Sequence, residues 1–145
     1  MEGYFKELGD VIDITPVIKL YKNFDIYQDF TNLEIFHHIL QSVNVNQYKI
    51  FRKNKEVIGF CSWAFLNKDE EKHMVETSHI REGKWNSGNI IWQMDIVAKE
   101  DAKEIALETR KHITNLVGLN KTVKWKRDYK SEIIYKQFKT KRKYL

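Results

Sequence analysis

The chain has one cysteine, one proline and six glycines in 145 residues, and each scarcity excludes something. A lone thiol, Cys61, cannot close an internal disulfide, so the fold must rest on packing, as suits a reducing compartment. With only Pro16 there is no proline-rich linker, and no stretch is low in complexity or internally repeated. No apolar run approaches the roughly 20 residues that span a bilayer. The opening residues are acidic at Glu2 and carry no apolar signal-peptide core, so a cytoplasmic protein is expected. The glycine-rich loop that cradles a pyrophosphate at a helix N-terminus is missing too. Its nearest approximation, Arg81-Glu82-Gly83, is one residue short and lacks the second small residue.

What is present suffices for one folded domain spanning 1–145: 42% hydrophobic residues, 13% of all residues aromatic. Charge is unevenly placed. Residues 121–145 hold ten Lys/Arg against two acidic side chains, whereas the remainder is net negative. The basic C-terminal tail, 139–145, is either simply solvated or meets an acidic protein, and no nucleic-acid motif accompanies it.

Periodicity predicts a helix over 8–21 broken by Pro16, and a second over 30–40, with Thr31 and Glu34 placed for a capping box. Strands at 48–51 and 57–65 form a hairpin across the polar turn 52–56. A charged helix over 67–77, a strand at 90–96, a helix over 101–116 and strands at 122–127 and 133–139 complete the chain. This order predicts an α/β (α+β) single domain, a mixed β-sheet flanked by helices.

The strand at 90–96 carries a carboxylate, Asp95, inside an otherwise apolar run. Burying an unpaired carboxylate costs several kcal/mol or forces its pKa up, so Asp95 is either a bonded anchor or part of a site. Cys61, with no basic neighbour in sequence, reads as core, and His73 and His79 as solvated. The adjacent His37 and His38 point about 100° apart on a helix, so no metal site is expected there. Gly88 is expected to supply a positive φ at the turn into the Asp95 strand.

Asn46-Gln-Tyr48, Gly59-Phe-Cys-Ser-Trp-Ala64 and Trp85-Asn-Ser-Gly88, followed by Trp92, Asp95 and Ala98, fall in one order and spacing. In these motifs the chain resembles the toxin-activating lysine acyltransferases, the hemolysin C family, over residues 5–140. The resemblance implies a GNAT-like fold. It implies transfer of a fatty acyl group from acyl carrier protein to a lysine of a protoxin or bacteriocin peptide, with no cofactor resident on the enzyme. It also implies that Asp95 is one of two catalytic residues. The other, a histidine, falls on Tyr27 when counted back without a gap, and a serine that precedes it falls on Phe24.

Three readings of the site stay open. Tyr27 acts as acid while Asp95 accepts the proton; His37 or His38 substitutes through a rearranged helix; or the chain is a subunit without catalysis of its own. The last would resemble the proteins that work with a second maturation protein to attach a siderophore-type group to a microcin C-terminus. Trp63, Trp85 and Trp92, with Ser87, are the candidate substrate-binding residues, as walls of an acyl pocket. As large aromatics beside a sheet, the tryptophans equally suit a core.

Overall fold

The computed structural model describes residues 4–7, 10–129 and 132–145. Strands β1 (Tyr4–Glu7) and β2 (Asp10–Asp13) pair antiparallel, followed by helix α1 (Thr15–Lys22), a 3₁₀ turn at Asp25–Tyr27 and helix α2 (Asn32–Asn44). Then come β3 (Tyr48–Lys53), β4 (Glu56–Leu66), α3 (Lys68–Thr77), β5 (Ile90–Ala98), α4 (Ala102–Val117), β6 (Thr122–Tyr129) and β7 (Glu132–Lys139). The five strands β3 to β7 form one sheet in chain order, antiparallel throughout except where β5 meets β6. This is a single α+β domain with a mixed sheet, consistent with a GNAT-like arrangement.

One expected element changes identity. Of the helix predicted over 8–21, residues 8–9 lie outside the described residues, Asp10–Asp13 form strand β2, and a helix runs only from Thr15. Pro16 does not break α1; it sits in the first turn, where its missing N–H is no loss and its fixed φ suits the helix. The capping box forms as expected, the Thr31 hydroxyl accepting from Glu34 N and the Glu34 carboxylate accepting from Thr31 N.

Two irregularities in β5 position the site. Between Cys61↔Ile96 and Trp63↔Gln93 the register slips, so Ser62 alone stands opposite both Met94 and Asp95. Ile91 packs on the α4 side with Trp63, Ile113 and Val123. Strict alternation would send Asp95 to that same side. The bulge turns it over, and Asp95 and Val97 face α1 and α2 instead. The second irregularity is on the other edge. β5 and β6 run parallel, but their register covers only Ile91↔Val123 and Trp92↔Lys124, and beyond Trp92 the strands part.

The basic C-terminal stretch is anchored at two points. Thr140 is fully buried, its hydroxyl donating to Gly118 O at 2.6 Å and accepting from Lys121 N. Tyr144 is buried too, its hydroxyl bonded to Arg110 and its ring edge-on to Phe138. Lys139, Lys141, Arg142 and Lys143 remain exposed.

Candidate active site

Asp95 Oδ2 lies 2.5 Å from His38 Nε2 and accepts a 2.7 Å hydrogen bond from the Tyr21 hydroxyl. Three elements supply the three groups: α1 gives Tyr21, α2 gives His38 and the bulge of β5 gives Asp95. The Asp95 backbone N–H donates to Ser62 Oγ at 3.3 Å, which ties the bulged residue to β4. Tyr21 is fully buried, and the Asp95 side chain is 15% exposed against 34% for His38. The cluster therefore has a closed end at Tyr21 and an open end at His38.

The charges are coupled. Burial alone would lift the Asp95 pKa, but His38 and the Tyr21 hydrogen bond, with Lys126 beyond, hold it below the ordinary carboxylate value. Burial likewise disfavours imidazolium, yet the Asp95 carboxylate outweighs it and raises His38 above its ordinary value. Burial and the neighbouring carboxylate push the Tyr21 phenol well above 10, so it stays a neutral donor. With Nε2–H directed at Asp95, the neutral imidazole carries its lone pair on Nδ1. A base held in one tautomer by a carboxylate is the result.

Of the residues singled out in the sequence, Asp95 is at the centre. Tyr27, which the ungapped count puts in place of a histidine, is near it. Its ring meets Tyr21 edge-on at 4.9 Å and lies 6.2 Å from His38, forming a wall of the site. The histidine beside Asp95 is His38, while His37 one residue earlier is exposed. Trp85 packs edge-on against His38 at 6.3 Å.

The remaining candidates lie further out. Trp63 is on the opposite face of the sheet, its ring tilted at 49° against His112 of α4. The Trp92 indole N–H donates to Glu71, which also pairs with Lys124. With Val75, Tyr135 and Gln137 these residues line a groove of about 420 Å³ where β5 and β6 are still paired. Ser87 is a turn residue, its hydroxyl accepting from Asn67 N at 3.1 Å.

Gly88 does not adopt the expected positive φ. Its need is space, since a Cβ there would lie 2.5 Å from Asn67 N and 2.6 Å from Leu66 O. Cys61 is core as expected, buried with its thiol pushed up to about 11.

Sequence reasoning missed Tyr21 and gave His38 no preference over His37. The signal was available. On α2 the buried residues are Ile35, Ile39, Ser42 and Val43. His38 is three residues after Ile35 and four before Ser42, hence on the inward stripe, whereas His37 is one step round.

The Asn46-Gln-Tyr motif has a structural explanation. Gln47 is buried, and its side-chain N–H₂ donates to Trp63 O and Trp85 O at 2.9 and 3.0 Å. It thereby clasps the end of α2, β4 and the Trp85 loop together.

A sequence model of the RTX toxin acyltransferase family matches residues 9–138. The chain belongs to that family. Among its relatives, an uncharacterised protein of Synechocystis sp. is 34% identical over 116 residues, 77% of this chain and 75% of that one. The protein-lysine myristoyltransferase RtxC of Kingella kingae is 26% identical over 95 residues, covering 65% of this chain and 53% of the relative. The leukotoxin-activating lysine-acyltransferase LktC of Mannheimia haemolytica is 26% identical over 98 residues, covering 67% and 55%. The chain thus matches about half the length of these two acyltransferases.

Proposed function

We propose that the protein transfers an acyl group from a carrier-bound thioester to the ε-amino group of a lysine in a co-produced protein toxin or bacteriocin peptide. The observation that carries this reading is the 2.5 Å His38–Asp95 contact, in a chain of acyltransferase family. Lysine is an ammonium ion at neutral pH, with a pKa of about 10.4, and must lose a proton before it can attack. His38 Nδ1 takes that proton, and Asp95 holds the ring and stabilises the imidazolium that forms. The freed amine adds to the thioester carbonyl carbon. The adduct's nitrogen gives up its second proton to solvent, the tetrahedral adduct collapses, the C–S bond breaks, and the thiolate leaves with the proton returned by His38. The amide and a free carrier thiol are the products.

Tyr21 keeps Asp95 ionised and aimed, as a positioning residue. Beyond Trp92 the β5 edge is no longer paired with β6, and that unpaired edge suits the thioester arm. The groove walled by Trp92, Val75 and Tyr135, where β5 and β6 are still paired, suits the acyl chain. The exposed lysines and arginine of 139–143 suit an acidic carrier protein by electrostatic steering. The alternative of a subunit in a microcin-maturation pair rests on the histidine and serine missing at Tyr27 and Phe24; against it, His38 offers Asp95 an imidazole from a later position.

The test is direct. The protein is incubated with acyl-loaded carrier protein and the polypeptides encoded beside its gene, and intact masses are measured. A fatty-acyl increment mapping to a lysine supports the reading. A larger adduct at a C-terminus, seen only when a second neighbouring protein is present, would contradict it in favour of the subunit.

A further inference from the structure

The surface beside the open end of the site has a composition at odds with the rest of the chain. Ile26 is 60% exposed and Leu33 64%, with Phe30 also exposed between them in sequence. Three acidic side chains, Asp25, Asp29 and Glu34, are exposed in the same short segment. Its one lysine, Lys22, is already engaged with Phe30 O. An acidic, apolar surface on a chain of net charge +5 stands in contrast to the basic stretch at the other terminus.

This surface leads to the catalytic pair. The Phe30 ring meets Tyr27 edge-on at 5.5 Å, and Tyr27 in turn lies 6.2 Å from the His38 ring. On α2, Glu34 stands one turn before His38 on the same side. Phe30 and Tyr27 therefore connect the exposed patch to the imidazole, with Glu34 one turn from His38 on α2.

We propose that the 3₁₀ turn Asp25–Tyr27 and the first turn of α2 dock the acceptor polypeptide, taking an apolar segment with flanking lysines. This rests on the acyl-transfer reading for its purpose, though not for its chemistry of binding. Ile26, Phe30 and Leu33 cover the apolar side chains of the segment, and the acidic rim holds its ammonium groups. One lysine is thereby led along Phe30 and Tyr27 to His38. Charge sets the occupant: an acidic carrier would be repelled here, so donor and acceptor approach from differently charged sides.

The experiment measures binding of a short fluorescein-labelled amphipathic peptide of leucine and lysine to the full chain by anisotropy. A control peptide carries glutamate in place of every lysine. The wild type is expected to prefer the lysine peptide at least tenfold. Asp25→Lys/Asp29→Lys should invert that preference, and Ile26→Ser/Leu33→Ser should weaken both peptides. These positions are exposed, and circular dichroism confirms that each variant is folded. Equal binding of both peptides, or affinities unchanged in both variants, would overturn the proposal. So would a wild-type dimer that the variants dissociate with no change in peptide affinity, since a second copy would then be the occupant. If the peptide preference holds but the wild type transfers no acyl group to any acceptor, the docking surface stands and the acyl-transfer reading falls.

Discussion

At the residue scale the account turns on Asp95, His38 and Tyr21. In the proposed reaction neutral imidazole is the working form, and Asp95 raises the His38 pKa above the ordinary 6.5. Transfer rate should therefore climb with pH through a limb above 6.5, read from single-turnover rates across a pH series. Asp95→Asn removes the attraction and leaves the burial, so the His38 pKa should drop below 6.5 by NMR titration. Stability follows the same linkage with opposite senses for the two partners. The His38 contribution is fully present below 6.5 and is lost as pH rises through its raised folded value. The Asp95 contribution is present above its ordinary 3.8 and is lost as pH falls through its lowered folded value. Tyr21→Phe removes one hydrogen bond to a buried carboxylate and should cost about 1.5–3 kcal/mol in chemical denaturation.

At the scale of elements, the bulge and the turns decide what the site can hold. Asp95 was legible as an anomaly, a charge in an apolar strand, because that needs only composition and alternation. Its partner was harder to read because the β5 bulge reverses which face Asp95 occupies, and no residue type in Gln93-Met94-Asp95 announces a bulge. Counting back along the chain to Tyr27 assumes that a role keeps its sequence position. In space, α2 offers His38 from a later position. Strand β2 was missed because the apolar spacing over 8–21 suits a helix and Pro16 was read as a breaker instead of a starter. The capping box and the β3–β4 hairpin were legible because each is a local signal.

Gly88→Ala tests the turn that feeds β5. Backbone on two sides leaves its methyl group no room, so a loss of about 1–3 kcal/mol is expected in urea unfolding. A loss near zero would mean that the Leu66–Asn67 backbone yields easily.

At the scale of the whole molecule, charge is divided along the chain. The acidic apolar surface at the α2 start and the exposed cations of 139–143 are on separate parts of the chain. The C-terminal stretch read in sequence as a basic tail is also a clasp, because Tyr144 closes over Arg110 and Phe138. Tyr144→Ala should then lower stability by about 1.5–3 kcal/mol, the scale of uncovering one large apolar side chain, measured by denaturant unfolding.

The central claim, that His38 and Asp95 form a working pair, is tested most directly by the single-turnover rate of acyl transfer in His38→Gln. The variant should fold as the wild type does and lose about 10²- to 10⁴-fold in rate, the usual contribution of a positioned base. A folded His38→Gln protein that transfers acyl groups at the wild-type rate would contradict the account.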